Sequence, residues 1–244
     1  MTHRFETPVS ACVFGASGGI GGALANALAA RDDIRTVHVG GRSMPGIRHE
    51  KFRPFVFDLT DETSIEAAVA DMADDMPRWI IVATGQLHGE GLKPEKSLRE
   101  QQPDAYAHAF AVNATGPALI AKHMLARPPR DGRLLFTALS ARVGSIGDNR
   151  LGGWYAYRAS KAALNMIMRC VAIEVARINP EAIAVTLHPG TVDTGLSQPF
   201  QRHVAARSLF TPDYSAERLL DVMDRLQPAD SGQCFAWDGS PIPF

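Results

Sequence analysis

The sequence predicts an α/β fold, a doubly wound parallel sheet of seven strands with helices on both faces. Three observations carry that expectation. Short runs rich in β-branched and aromatic residues alternate with helix-period stretches almost from end to end, the pattern that crossover connections impose on a parallel sheet. A glycine-rich turn, "GASGGIG" from Gly15 to Gly21, falls between the first such run and the first helical stretch. No linker, repeat or low-complexity tract divides the 244 residues. Residues 1–244 therefore read as one domain, long enough for a sizeable core.

The elements follow in order. "PVSACVF" (8–14) reads as a buried strand and "GIGGALANALAARDD" (19–33) as the helix after it. "RTVHVGG" (35–41) and "KFRPFVFDL" (51–59) are the second and third strands. "TDETSIEAAVADMADD" (60–75) opens on an N-cap candidate, Thr60 or Asp61, and continues at helical spacing. "RWIIVATG" (78–85) is the fourth strand, and "QLHGEGLKPEKSLREQQP" (86–103) a polar loop. "DAYAHAFAVNATGPALIAKHML" (104–125) reads as one long helix, and "GRLLFTALS" (132–140) as the fifth strand. A helix containing Tyr157 follows, then "EAIAVTLHPG" (181–190) as the sixth strand. "TPDYSAERLLDVMDRL" (211–226) is helical, and "GQCFAWDG" (232–239) is the last strand.

Composition removes several function classes. Lys and Arg number 25 against 26 Asp and Glu, with no basic runs, so there is no electrostatic footprint for nucleic acid. The start "MTHRFETP" lacks the apolar stretch of a signal peptide, and no run approaches the roughly 20 apolar residues of a membrane span. Cys12, Cys170 and Cys234 are few, odd in number and without CxxC spacing. A reduced, cytoplasmic setting without membrane association is the simplest expectation. His88, His108, His123 and His188 form neither HxH nor HExxH, so no metal site is expected.

The glycine turn has a physical purpose. Gly15, Gly19 and Gly21 permit a tight bend and close approach of backbone to a pyrophosphate, and the helix start at Ser17, Gly18 and Ile20 offers free N–H groups. The spacing is GxxxGxG, and no P-loop Lys-Ser/Thr pair accompanies it, which disfavours triphosphate hydrolysis. Downstream, Tyr157 precedes Lys161 by four residues, one helical turn. A phenol titrates near ~10, too high to trade protons near neutrality. An ammonium close by would lower that value.

Taken together, GxxxGxG, Asp58 after the third strand, "ATG" (Ala83, Thr84, Gly85) after the fourth, Asn113, Ser140, Tyr157-x-x-x-Lys161 and "PGTVDT" make the chain resemble the short-chain dehydrogenase/reductase family nearly end to end. Its Rossmann-type fold is implied by that likeness. "GSIGDNRLGGWYAYRASKAALN" and the ending "WDGSPIPF" are similar to the C-factor-like branch, related to sniffer-type carbonyl reductases. The segment from Ser140 to Tyr157 is longer than the usual family spacing, as in that branch. The resemblance implies a tetrad: Tyr157 as acid/base, Lys161 also on the nicotinamide ribose, Ser140 donating to the substrate carbonyl, and Asn113 holding a relay water. It further implies Asp58 and Leu59 at the adenine, Val192 at the carboxamide, Thr194 at the phosphate or amide side, and Pro189 as a wall of the nicotinamide. Two departures stand out: Phe14 where Thr is usual, and Ala83 where Asn is usual.

NADP(H) is the preferred cofactor, with NAD(H) possible. The second strand ends in Gly40, Gly41, Arg42 and Ser43, with no carboxylate for a ribose diol. Arg42 and Ser43 can instead take a 2′-phosphate, the alternative being a solvated loop. Tyr155 is the rival phenol, but its i+4 residue is Ala159; Ser145 is the rival hydroxyl. The substrate expected is a small carbonyl compound or secondary alcohol. Loops 86–103, 143–154 and 195–210 would select it, the last as a lid. The family likeness also makes the helices bearing Asn113 and "ALNMIMRCVAIEVA" an interface of a homodimer or homotetramer. The competing expectation is a dinucleotide-binding signalling protein with little catalysis. Nucleotide-sugar epimerisation ranks below both, since such relatives carry a longer C-terminal substrate domain.

Overall fold

The structure is a computed structural model that describes residues 7–89 and 91–244. The reading of "MTHRFETP" falls mainly on residues 1–6, outside the described residues. Along the chain run β1 (Val9–Phe14), α1 (Gly19–Ala29), β2 (Ile34–Gly41), β3 (Phe52–Val56), α2 (Glu62–Ala70) and β4 (Trp79–Val82). Next come α3 (Pro103–Phe110), α4 (Gly116–Met124), β5 (Leu134–Leu139), α5 (Tyr155–Ala176) and β6 (Ala182–His188). The short strands β7 (Thr191–Val192) and β8 (Leu209–Phe210) precede α6 (Pro212–Arg225) and β9 (Cys234–Ala236).

Seven strands form one sheet in the order β3-β2-β1-β4-β5-β6-β9, all pairs parallel. Alternate strand residues feed two cores, as the two-residue period of a strand requires. Ala11, Val13 and Leu135 join Leu24, Leu28, Leu219 and Met223 of α1 and α6. Cys12, Phe14 and Phe136 join Ile65 of α2, Ile120 of α4, and Leu164 and Met168 of α5. The doubly wound expectation is met, strand for strand. Because β1 lies between β2 and β4, the winding reverses there, and a crevice opens at the carboxyl ends of β1 and β4.

Several boundaries differ from those expected, each for a local reason. The first helix stops at Ala29 because Arg31 turns away to bond Asp33 and Asp224, tying the end of α1 to α6. The third strand ends at Val56; Asp58 is already in a turn, its Oδ1 accepting from Thr60 N at 2.8 Å and Thr60 Oγ1 at 2.7 Å. Asp61 is the N-cap of α2, accepting from Thr63 N and Ser64 N. The long helix expected over 104–125 is interrupted by a π-helical stretch, Ala111–Thr115, which separates α3 from α4 and carries Asn113. Such wide turns recur at functional positions. Phe14 is wholly buried and meets Phe55 and Phe57 edge-on at 5.3 and 5.0 Å, so an aromatic cluster occupies the place of the missing hydroxyl. Pairing of β7 with β8 was not expected; it ties the end of the 195–210 segment back beside its start.

Candidate active site

The crevice begins at the glycine turn. Gly15 has φ +92°, and a Cβ there would lie 2.9 Å from Ala83 O. At Gly21 a Cβ would lie 2.1 Å from Gly15 O, so no side chain fits without moving backbone. Gly18 is the N-cap of α1 and supplies no side-chain bond to the helix, which leaves amide donors for an anion. Two adjoining grooves of about 500 and 430 Å³ share Ser17, Gly18, Ala83, Thr84 and Gly85 in their walls. The Thr84 hydroxyl is buried without a hydrogen-bond partner among the described residues. Backbone cradle, free helix donors and an unpaired hydroxyl together fit a dinucleotide diphosphate.

At one end Gly15, Arg42, Asp58 and Leu59 line the first groove, with Phe57 and Thr60 beside them. The Asp58 carboxyl is held below its usual range, chiefly by the Thr60 backbone and hydroxyl bonds and also by the Arg42 charge. Arg42 is exposed, and Ser43, also exposed, stands beside it without lining the groove. At the other end Gly19, Ile20, Gly21, Ser140, Tyr157, Lys161, Pro189 and Thr194 line the second groove. Thr194 sits directly over the α1 start, its methyl 2.8 Å from where a Gly19 Cβ would be. Val192 is buried behind it, its carbonyl accepting from Ser197 Oγ at 2.5 Å.

Tyr157 and Lys161 share this wall, as their spacing requires; Lys161 Nζ lies 5.9 Å from the Tyr157 ring centroid. Nζ donates to Leu139 O at 2.8 Å, and the side chain is buried. Gly85 and Asn113 stand close by: a Cβ on Gly85 would be 3.4 Å from Lys161 Nζ and 3.5 Å from Asn113 Oδ1. Asn113 exchanges two bonds with Gln86, its Oδ1 accepting from Gln86 N and its Nδ2 donating to Gln86 O, both at 2.9 Å. Its Nδ2 also donates to Ser160 Oγ at 3.2 Å. Ser140 Oγ donates to Asn165 Oδ1 at 2.8 Å, both residues being buried.

The electrostatics differ from the expectation that Lys161 acidifies Tyr157. Burial pushes the Tyr157 phenol up to about 12, and burial pushes the Lys161 ammonium down to about 8. Both groups are driven toward neutrality because the low-dielectric wall penalises either charge more than their separation rewards the pair. The phenol is thus a firmly protonated donor in this arrangement.

The rivals take structural places. Ser145 Oγ accepts from Asp148 N at 3.1 Å within a turn. Tyr155 is half-buried near Tyr106, whose phenol it helps to raise after burial and Glu95. His188 is a packed strand-end residue whose imidazole is pushed down to about 4 by burial and then by Arg142. Among the described residues no group of three or more His, Cys, Asp or Glu is placed to hold a metal ion, and no helix is long and apolar enough to cross a membrane. Sequence reasoning did not single out Gln86 or Asn165, and weighed His88 only as a metal ligand. Asn165 was visible as one turn beyond Lys161; the other two lie in a loop whose path no periodicity encodes.

A crevice of glycines at a switch point, opening onto a Tyr–Lys pair and a serine, defines a dinucleotide-dependent oxidoreductase. The chain belongs to the short chain dehydrogenase family, whose model matches residues 10–205. It is 39% identical over 140 residues to C-signal of Myxococcus xanthus, covering 57% of this chain and 78% of that one. Among solved structures it is similar to a short-chain dehydrogenase/reductase from Burkholderia multivorans with bound NADP, at 25% identity and TM-score 0.79, covering 97% of this chain and 100% of that one. The fold also matches the NADPH-bound carbonyl reductase from chicken fatty liver, at 24% identity and TM-score 0.83 over 99% and 97% of the two chains.

Proposed function

We propose that residues 1–244 form one NADP(H)-dependent reductase of carbonyl compounds, running in reverse as a secondary-alcohol dehydrogenase, with Tyr157 as the acid/base. The observation that carries this reading is that Ser140, Tyr157 and Lys161 line the same groove as the glycine turn. When bound, a reduced nicotinamide supplies the hydride. Tyr157, neutral at physiological pH, gives its proton to the oxygen of the reacting carbonyl, the role a buried and protonated phenol suits. Lys161 spends one N–H on Leu139 O and keeps two for the ribose hydroxyls. Ser140 must donate to the developing alkoxide. Turning over the Asn165 amide makes its Nδ2 the donor to Ser140 and frees the serine proton. Gln86 fixes the Asn113 amide beside Lys161, where a relay water would re-supply the proton.

Preference for NADP(H) over NAD(H) rests on Arg42 in the groove wall, where a 2′-phosphate meets a guanidinium. Support comes also from the NADP in the Burkholderia relative. On α5, Met166 and Ile173 are exposed apolar side chains, which supports pairing of two copies through that helix. Three free cysteines suit a reducing cytoplasm.

The test is Tyr157→Phe. The expected outcome is unchanged NADPH affinity with carbonyl reduction abolished; substantial NADPH-dependent turnover by this variant sinks the assignment. The likeness to C-signal favours a second reading, a dinucleotide-binding signalling protein. Tight NADPH binding without turnover over a broad carbonyl panel would select it.

A further inference from the structure

Trp154 has φ +52° and ψ +44°, and it is the one non-glycine residue with positive φ among the described residues. Gly152 and Gly153 before it have φ +63° and +65°, so three successive residues are left-handed. Glycine adopts that conformation freely, whereas a bulky side chain is strained in it. A turn that needed only to start a helix would be better served by Gly or Asn at this position.

The strain is held from both sides. Trp154 N donates to Glu95 O at 2.5 Å, and Ala156 N donates to Glu95 Oε2 at 3.2 Å. Arg158 Nε donates to Gly153 O at 3.0 Å, and Arg158 N donates to Trp154 O at 2.8 Å. Glu95 is 4% exposed and comes from a loop 61 residues away in sequence from Ala156. Since α5 has no side-chain cap from its own N-cap residue, Glu95 satisfies two amides at its start. Its Oε1 is buried with no hydrogen-bond partner among the described residues, a cost that no simple turn requires.

What the strain secures is the position of the indole. The Trp154 ring stands 6.4 Å from the Tyr157 ring, nearly perpendicular at 76°, and 5.0 Å from Phe200. Phe200 rests in turn on His88 at 5.6 Å, and His88 Nε2 is 3.0 Å from Gly195 O at the start of the same segment. Two aromatic side chains in contact therefore stand at the Tyr157 ring, Trp154 on the fixed turn against it and Phe200, on the segment after β7, against Trp154.

We propose that Trp154 is the specificity-determining residue of the cleft, with Glu95 as the residue that positions it. A flat aryl or conjugated group beside the reacting carbonyl lies against the indole, and Phe200 shifts to close on its other side. The proposal rests on the reading of Tyr157 as proton donor to a carbonyl. Strain of this kind persists where surroundings over-determine it and function uses it.

The experiment compares acetophenone with cyclohexyl methyl ketone, equal in size but flat against puckered. Trp154→Gly suits the left-handed backbone, so the fold is not put at risk. It should lower kcat/KM for acetophenone about five- to tenfold more than for the cyclohexyl ketone, the value of one aromatic contact. Trp154→Phe should keep the aryl preference to within about twofold. Glu95→Ala should lose that preference as Trp154→Gly does, and Glu95→Gln, which retains an acceptor oxygen, should restore it. Equal losses on the two ketones for Trp154→Gly, or an unchanged ratio for Glu95→Ala, overturn the proposal. If the wild-type protein reduces neither ketone, the broad carbonyl panel decides the reductase reading, and binding decides the subsite. Acetophenone added to the NADP+ complex must then quench tryptophan fluorescence saturably in the wild type and not in Trp154→Phe; no such difference overturns it.

Discussion

Replacing Lys161 with Met removes an ammonium that the fold buries among the wall of the crevice. Burial lowers its pKa from 10.5 to about 8, so the unfolded chain binds this proton more tightly than the folded one. Stability must therefore rise with pH as the folded amine and then the unfolded one release their protons, between about 8 and 10.5. Integrating that difference, the wild-type protein gains about 2 to 3 kcal/mol from this group between pH 7 and pH 10. Met fills the same volume without a charge, so the variant lacks the gain. Loss of the bond to Leu139 O costs about 1 kcal/mol, an offset with far weaker pH dependence. Buried Cys12 and Cys234, whose thiols are pushed up by burial, and Tyr157 contribute slopes of the opposite sign in alkaline solution. They are common to both proteins and cancel in the comparison. Urea denaturation of dinucleotide-free wild type and Lys161→Met at pH 7 and pH 10 measures the difference directly. A difference below about 1 kcal/mol between the two proteins' changes in stability from pH 7 to pH 10 would refute the claim that this lysine is charged at a folding cost.

Two further outcomes follow from the site and the surface. Arg42→Ala should raise KM for NADPH by about tenfold or more while leaving KM for NADH within about twofold, because a guanidinium–phosphate bond is lost in one case only; steady-state kinetics with the two cofactors checks this, and equal effects on both would exclude Arg42 from the 2′-phosphate site. Light scattering at micromolar concentration should give twice the chain mass, and Met166→Glu with Ile173→Glu should return the protein to single chains; a single-chain mass for the unaltered protein removes α5 as an interface.

The sheet and the cofactor turn were legible because their signals are local. Strand residues such as Cys12 and Phe14 show the two-residue period, and Gly15 and Gly21 are demanded by backbone clashes that no tertiary partner can relieve. That Ser140, Tyr157 and Lys161 share one groove with Asn113 near Lys161 was legible through spacing and family likeness, although the charge state of the pair was not. Two groups one helical turn apart give a distance, whereas the balance between attraction and desolvation depends on the wall around them, which Leu139 of β5 and Gly85 of the loop after β4 complete. Asn113 shows the same division: its presence in a long helix was readable, but the π-helical stretch that aims it at Gln86 is a tertiary outcome. Glu95 was hidden most fully, since its partners Trp154 and Ala156 follow it by about sixty residues and no periodic pattern links them.

Pairing of Thr191 with Leu209 and Val192 with Phe210 brings the two ends of the 193–208 stretch side by side, and Asp193 N donates to Phe210 O at 2.8 Å to complete the clasp. A loop closed at its base behaves as a cassette: residues can be added or removed within it for a small closure entropy, without disturbing β6 or α6. The molecule thereby separates the groove wall, to which Thr194, Gly195 and Leu196 belong, from the residues beyond it, and grafting a foreign stretch between Ser197 and Leu209 is the natural route to retargeting it.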